Sequence, residues 1–130
     1  MILAVDFDGT VVEHAYPLIG KDVPHAVRVL KRIISNNHQI IIWTMRCDKY
    51  LDEAIDWYKK NNIPFTGANI NKSQNVWTTS PKVYAHRYID DAAVGCPLIT
   101  QNISSTIISR AFVDWLVVEK ILESEGLLIE

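Results

Sequence analysis

The sequence predicts an α/β fold with a mainly parallel sheet. Short apolar runs of strand length alternate along the chain with segments whose apolar residues recur at helical spacing. No linker, repeat or low-complexity tract interrupts the 130 residues. We therefore expect residues 1–130 to form a single domain with its own hydrophobic core.

Composition and charge exclude several classes of protein. Hydrophobic residues make up 48% of the chain and charged residues 22%, as in ordinary globular proteins. The formal net charge of −2 gives no signal for nucleic acid, and every apolar run is too short to span a membrane. Cys47 and Cys96 show no metal-site or disulfide-framework spacing, which favours reduced thiols and a cytoplasmic location.

The first predicted strand, residues 2–7, leads into the most informative residues of the chain. Its apolar run stops at Asp6 and Asp8, and Gly9 then predicts a tight turn. Because side chains alternate along a strand, Asp6 and Asp8 share one side while Phe7 points away. Two carboxylates beside a tight turn suit a Mg²⁺ ion and a reaction at phosphorus.

The next elements continue the alternation. After an excursion over residues 11–20, Asp22 is predicted to cap a helix that runs to residue 36. Residues 39–44 form the second strand, whose unbroken apolar run indicates burial on both faces. The apolar stripe of the helix is expected at Val23, Val27, Leu30 and Ile34.

The second half of the chain repeats the pattern with weaker strands. Asp48 is predicted to cap a second helix that ends near residue 61. The elements expected after it are a weak strand at 64–68, a polar loop at 69–80, a strand ending at 87–90, a short strand at 97–100 and a helix at 104–124. The expected inner faces of the two helices are Leu51, Ala54, Ile55 and Tyr58, and then Ile108, Phe112, Trp115, Leu116 and Leu122.

Polar residues with complementary chemistry follow or lie near the ends of the predicted strands. Ligands bind at the carboxyl ends of the strands in an open parallel sheet, so residues far apart in sequence are expected to converge there. One carboxylate can attack phosphorus and a second can move the proton. A hydroxyl and an ammonium can hold the phosphoryl oxygens. The residues are Asp6, Asp8, Thr44, Lys82, Asp90 and Asp91.

Together, these residues and their order give the chain a resemblance to the haloacid dehalogenase-like (HAD) hydrolase superfamily. Residues 6–10, Asp-Phe-Asp-Gly-Thr, match its first motif, and Thr44 matches the second. Lys82 stands where the third motif is expected, and the pair Asp90 and Asp91 matches the acidic fourth motif. The motifs cover residues 6–91, about two thirds of the chain.

The resemblance implies a HAD-like Rossmannoid three-layer α/β/α sandwich and a Mg²⁺-dependent phosphatase. Asp6 would be the nucleophile that forms an aspartyl-phosphate intermediate. Asp8 would be the general acid and base, and its main-chain carbonyl would bind the metal. Asp6 and Asp90 would ligate Mg²⁺ directly, and Asp91 would do so directly or through water.

The same resemblance assigns the phosphate-binding residues. Thr44 and Lys82 would hold the phosphoryl oxygens, although Lys72 is a rival for the lysine. Arg46, two residues past Thr44, is expected to reach substrate or to form a surface salt bridge. For His14 a solvated side chain is the favoured interpretation, and Trp77 is expected to cover an edge of the core rather than to stack on a ligand.

The spacing of the motifs resembles the capless group of the superfamily. The gap from Asp6 to Thr44 equals the gap from Thr44 to Lys82, and predicted core elements fill both. Water must then be excluded by other means. A bulky substrate, a neighbouring subunit of a homo-oligomer or the excursion at residues 11–20 would each serve. The phosphorylated substrate, small molecule or macromolecule, is left open.

Two other functions compete with the phosphatase. One is a HAD-fold protein that binds a ligand or partner for regulation without turnover. The other is a receiver-like signalling domain, which also places acids, a Thr and a Lys around Mg²⁺. A receiver needs its phosphoacceptor Asp after the third strand, where residues 65–69 contain no acid.

Overall fold

The computed structural model describes residues 1–101 and 110–130 and confirms the α/β class with a parallel sheet. The strands are β1 Ile2–Val5, β2 Gln39–Ile42, β3 Gly67–Ala68, β4 Arg87–Ile89, β5 Leu98–Ile99 and β6 Phe112–Val113. The α-helices are α1 Ala26–Ser35, α2 Asp48–Lys60 and α3 Trp115–Ser124, and a 3₁₀ helix spans Lys72–Val76. None of the described helices is long and apolar enough to cross a membrane.

The main sheet has four parallel strands in the order β3-β2-β1-β4, which is a Rossmann-like arrangement. Val5, the last residue of β1, pairs with Ile42 of β2 on one side and with Ile89 of β4 on the other. The carboxyl ends of the three strands are therefore level. Residues that follow β1, β2 and β4 meet at the same edge of the sheet.

The three α-helices pack on one face of this sheet. Leu3 and Val5, which point to that face, belong to one hydrophobic cluster with buried residues of α1, α2 and α3. Ala4 and Ile41 point to the opposite face, and they are buried as well. Tyr88 of β4 shares their face and donates a hydrogen bond to the carbonyl of Val83.

Residues 71–84, with the 3₁₀ helix, therefore cover the opposite face. The expected sandwich has α-helices on one face only, within the part of the chain that the structure describes.

Helix α1 begins later than the sequence indicated. Asp22 does not cap it, because the Asp22 carboxylate accepts a hydrogen bond of 2.8 Å from Nε1 of Trp57. The N-cap position falls to His25, which makes no side-chain capping bond. The buried face is Ala26, Val29, Leu30 and Ile33. Of the predicted stripe, Val23 and Leu30 are buried, and Val27 and Ile34 are partly buried and pack against the same core. Likewise α2 has Cys47 at its N-cap, with Asp48 as its first residue.

The C-terminal part departs most from expectation. β5 pairs antiparallel with β6 in a separate two-stranded sheet, so Phe112 lies in a strand and not in a helix. Asp114 caps α3, because its carboxylate accepts a hydrogen bond from the Val117 amide. The helix predicted from residue 104 therefore begins at Trp115. Leu116 is 45% exposed, contrary to its predicted inward position, and Ile108 lies outside the described residues.

Ion pairs connect α1 to α3. Arg28 donates two hydrogen bonds to the Glu119 carboxylate, and Arg32 donates another of 2.9 Å. Hydrogen bonding to Arg28 is the main reason why the pKa of Glu119 is lowered to about 2. The pair of helices is thus held by a carboxylate that stays ionised at neutral pH.

Candidate functional site

A concave site of about 510 Å³ lies beyond the carboxyl ends of β1, β2 and β4. This position is where an open parallel sheet places its ligands. Most of the predicted site residues line it, from three separate stretches of the chain. They are joined there by residues of the excursion and by one arginine from the C-terminal part. The lining consists of Asp6, Asp8, His14, Tyr16, Thr44, Met45, Arg46, Asp90, Asp91, Ala92 and Arg110.

Three carboxylates form the centre of the site. Asp6, Asp90 and Asp91 each offer one oxygen atom, and these oxygen atoms all lie within 4.8 Å of one another. Asp6 follows β1 directly, whereas Asp90 and Asp91 follow β4, so pairing of the two strands brings the acids together. Such a set of oxygen ligands suits Mg²⁺ or another hard divalent cation.

The protonation of Asp6 reflects this crowding. Burial is the largest cause that raises the pKa of Asp6, to about 8, and the hydrogen bond with Asp91 and the charge of Asp90 add to it. In the protein without a bound ion, the site therefore does not stabilise three ionised carboxylates, and Asp6 keeps its proton up to about pH 8. A cation held between these oxygen atoms would reverse the effect, which supports the fit of a metal ion.

Thr10 fixes the geometry of the carboxylates. Its hydroxyl donates a hydrogen bond of 2.9 Å to Asp6 and accepts one of 3.3 Å from the Asp91 amide. Thr10 is fully buried, and its carbonyl accepts a hydrogen bond of 2.7 Å from Nε1 of Trp115. The sequence interpretation gave Thr10 no role. Its place in the motif Asp-Phe-Asp-Gly-Thr was the available signal.

His14 belongs to the site, so the interpretation of a solvated histidine was wrong. Its Nε2 atom lies 3.0 Å from an Asp91 carboxylate oxygen, and both side chains are 17% exposed. Gly9 makes room for this contact. A Cβ atom at Gly9 would lie 2.1 Å from the His14 ring and 2.6 Å from the Asp91 carboxylate, and the φ angle of +80° also favours glycine.

Arg46 is a buried residue rather than a surface one. Two of its nitrogen atoms donate parallel hydrogen bonds of 2.8 Å to the two carboxylate oxygens of Asp8. This bidentate pair fixes the orientation of Asp8 beside the carboxylate cluster. The Asp8 side chain is not part of that cluster. The predicted contribution of Asp8 to the metal, through its main-chain carbonyl, stays a prediction.

The excursion is anchored on the same arginine. Arg46 donates hydrogen bonds to the carbonyl oxygens of Pro17 and Leu18. Its guanidinium carbon also lies 5.0 Å from the ring centroid of Tyr16 and 5.2 Å from that of Phe7. The excursion therefore packs against Arg46 and supplies His14 and Tyr16 to the rim of the site.

Thr44 lies in the site, as predicted. Its amide donates a hydrogen bond of 2.8 Å to the Asn69 side chain, and its hydroxyl accepts one of 3.1 Å from the Arg46 amide. Asn69 has a positive φ angle of 56° and follows β3. The sequence interpretation did not identify this support. The hydroxyl hydrogen of Thr44 has no acceptor among the described residues, so it can be donated to a ligand oxygen.

Neither of the predicted lysines lines the site. The Lys82 ammonium lies 5.7 Å from the ring centroid of Tyr88, on the face of the sheet away from the α-helices. The side chain of Gln74 holds the Lys82 carbonyl there with a hydrogen bond of 2.9 Å. Lys72 is the first residue of the 3₁₀ helix and is exposed.

Arg110 is the cation that the structure places at the site instead. It makes no ion pair with the carboxylates of the described ranges 1–101 and 110–130. Sequence reasoning missed it, because Arg110 lies outside every motif and in a stretch that was predicted to be helical.

The fold and the site define a Rossmann-like α/β domain with a carboxylate centre at the carboxyl edge of its sheet. The chain is similar to the solved structure of a conserved protein from Bacteroides thetaiotaomicron, with 34% identity and a TM-score of 0.78. The match covers 96% of this chain and 91% of that one. The chain belongs to the same family as that conserved protein. No model of a known protein family matches it, and no curated protein does.

Proposed function

We propose that this protein is a capless, Mg²⁺-dependent phosphatase of the HAD superfamily that acts on a phosphomonoester. The observation that carries the proposal is the convergence of Asp6, Asp90 and Asp91 within 4.8 Å, in one concave site with Asp8 and Thr44. These are the residues that the motifs assign to the nucleophile, the metal ligands, the acid and the phosphate contact.

The chemistry divides into two displacements at phosphorus. A carboxylate oxygen of Asp6 forms a bond to phosphorus while the bond to the ester oxygen breaks, and Asp8 gives a proton to the leaving alcohol. Asp8 then takes a proton from water. The water oxygen bonds to phosphorus, and the bond to Asp6 breaks to release inorganic phosphate.

The other residues hold the reacting groups. Asp6, Asp90 and Asp91 would hold Mg²⁺, which supplies positive charge to the phosphoryl oxygens when it is bound. The hydroxyl of Thr44 donates to a phosphoryl oxygen, and Arg110 provides the cation at the rim that Lys82 was expected to provide. The excursion with Tyr16 shields one side of the site, which leaves the substrate or a second subunit to cover the remainder.

One observation favours a second candidate, a HAD-fold protein that binds a ligand or partner without turnover. Asp8 is engaged at both carboxylate oxygens by buried Arg46, so it must be released in part before it can carry a proton to a leaving group. A receiver-like domain has less support, because β3 ends in Gly67–Ala68 and no acid follows it directly.

The test is hydrolysis of p-nitrophenyl phosphate with and without Mg²⁺ by the wild type and the variants Asp6→Asn and Asp8→Asn. We expect activity that requires Mg²⁺ and Asp6. The matched control is Asp52→Asn, which changes an exposed acid on α2 and should leave the rate unchanged.

The choice of leaving group separates the roles of the two acids. Asp8→Asn should slow alkyl phosphates more than p-nitrophenyl phosphate, because a poor leaving alcohol needs the proton more. Equal activity of Asp6→Asn and wild type would refute the covalent mechanism. Mg²⁺ binding without any hydrolysis, across a panel of phosphomonoesters, would favour the binding protein.

A further inference from the structure

Trp77 and Lys82 meet in another concave region, on the face of the sheet opposite to α1, α2 and α3. This aromatic recess has a volume of about 360 Å³, and its walls include Trp77, Ser80, Lys82, Tyr84 and Tyr88. It shares no residue with the lining of the carboxylate site. The volume falls in the range of roughly 300 to 1,000 Å³ that small-molecule sites occupy.

The recess exposes aromatic surface that could have been buried. Trp77 is 63% exposed, Tyr84 41% and Tyr88 38%. Trp77 and Tyr84 meet edge to face, with ring centroids 5.6 Å apart and an interplanar angle of 88°. The interpretation of Trp77 as a cover for the core edge was therefore wrong. An exposed aromatic pair of this kind offers π surface for stacking.

Buried polar side chains hold the recess in shape. The amide group of Gln74, which is 6% exposed, donates to the carbonyl oxygens of Ser80 and Lys82 and accepts from the Tyr84 amide. Asn71, which is 7% exposed, donates to the Tyr84 carbonyl. These bonds fix the backbone from which the rings and the ammonium project. A ligand would therefore bind with little ordering cost.

The chemistry of the walls selects an anionic ligand with a planar ring. Lys82 supplies a positive charge and the Ser80 hydroxyl a hydrogen-bond donor, and none of the residues that line the recess is acidic. A neutral sugar does not require a cation in its site, and an apolar partner surface would give the Lys82 ammonium no counter-charge. A nucleotide combines a base that stacks with a phosphate that pairs with an ammonium.

We propose that the aromatic recess binds a nucleotide, with the base stacked on Trp77 and a phosphate on Lys82. The nucleotide is either free or part of a single strand. The net charge of −2 means that stacking, rather than a field of positive charge, carries most of the affinity. This inference does not depend on the proposed phosphatase activity.

The experiment measures binding of AMP and of a short oligo(dA) by isothermal titration calorimetry, with the Asp6→Asn protein in buffer containing EDTA. These conditions remove turnover and the metal that would hold a phosphate at the carboxylate site. We expect saturable binding whose affinity Trp77→Ala lowers about tenfold or more, since stacking of one base is worth that much. Binding of AMP alone would identify a free nucleotide, and preference for oligo(dA) would identify a strand.

Lys82 provides the sharper control. Lys82→Gln should weaken binding several-fold, whereas Lys72→Gln, on the same segment but outside the recess, should not. For oligo(dA), one phosphate contact gives a slope of about −0.7 for log K against log salt, and Lys82→Gln should bring it near zero.

Three results would overturn the proposal. The first is no binding of either nucleotide, and the second is an affinity that Trp77→Ala leaves unchanged. The third is occupation by something else. Binding of maltoheptaose instead would point to a sugar, and a doubling of mass that Trp77→Ala abolishes would point to a second copy of the chain. Thermal unfolding of each variant checks that the fold is retained.

Discussion

Breaking the pair between Arg46 and Asp8 should destabilise the protein strongly. Removing one partner of a buried ion pair costs about 3–5 kcal/mol, because the other charge is left without compensation. The Arg46 side chain is 1% exposed and that of Asp8 is 18% exposed. Arg46→Met leaves a carboxylate that water can reach in part, so we expect a loss of about 2–3 kcal/mol. Asp8→Asn leaves a buried guanidinium, so we expect about 3–4 kcal/mol.

The double variant separates the pair from its surroundings. Asp8 shares its site with the carboxylates of Asp6, Asp90 and Asp91, and repulsion among them also contributes to the unfolding free energy of each single variant. A double-mutant cycle cancels such effects, and we expect a coupling energy of about 2 kcal/mol between Arg46→Met and Asp8→Asn. The free energies of unfolding come from urea titrations in EDTA followed by circular dichroism.

An exposed ion pair in the same chain provides the control. Arg87 pairs with Glu125, and their side chains are 43% and 30% exposed. The cycle of Arg87→Met and Glu125→Gln should give a coupling energy below about 1 kcal/mol, as for surface pairs. If the Arg46 and Asp8 variants are additive to within about 0.5 kcal/mol, the buried pair does not form in solution and the reasoning fails.

Three further predictions concern charge. In the metal-free protein the pKa of Asp6 is raised to about 8, so ionisation of Asp6 costs stability as pH rises from about 4 to 8. Asp6→Asn should therefore stabilise the metal-free protein at pH 8 by on the order of 2 kcal/mol, measured by urea unfolding. No gain in stability would contradict this. Because the pKa of Glu119 is lowered to about 2, the stability that its ion pairs give the fold is complete above about pH 4.5 and is lost toward pH 2. Glu119→Gln should cost about 1–2 kcal/mol of unfolding free energy at pH 7, a figure discounted for the exposure of Arg28, and little at pH 2. An equal loss at both pH values would show that packing dominates. Finally, Arg110→Ala should raise KM for p-nitrophenyl phosphate about tenfold, whereas Lys82→Gln should leave KM unchanged. A raised KM in Lys82→Gln with an unchanged KM in Arg110→Ala would show that Lys82 makes the phosphate contact.

The central strands were predictable because burial on both faces leaves a strong signal. β1 is apolar throughout, β2 is apolar after Gln39, and both lie at the centre of the sheet. The acid pairs after β1 and β4 mark where those strands end. The C-terminal part gave no such signal. Phe112 and Val113 have the apolar character of a helix face as well as of a strand, and their partner β5 is too short to show a period.

Lys82 shows why the site was only partly predictable. Asp6 and Asp90 are joined to strands whose register fixes their position, so their convergence follows from parallel pairing. Lys82 lies in a segment without a strand, and its direction depends on the side-chain bonds of Gln74. No periodicity reports such bonds. The structure therefore moves Lys82 to the opposite face and brings Arg110 to the rim, which no motif indicated.

The charges at the site argue for an order of binding. Four carboxylates line it, and Arg46 compensates only that of Asp8. Burial is the largest cause of the raised pKa of Asp6, and the charge of Asp90 adds to it, so the site does not stabilise the remaining three carboxylates when all of them are ionised. A phosphate dianion that entered this site would lie beside the acids Asp90 and Asp91, which repel it.

If these acids hold a divalent cation as proposed, the cation should bind before the anion. We then expect vanadate to bind the wild type weakly in EDTA and at least tenfold more tightly with Mg²⁺. Isothermal titration calorimetry measures both affinities. The exposed-acid variant Asp52→Asn should show the same dependence on Mg²⁺ as the wild type. Equal vanadate affinity with and without Mg²⁺ would mean that protein cations alone stabilise the bound anion, and the three acids would then have no role as a metal centre.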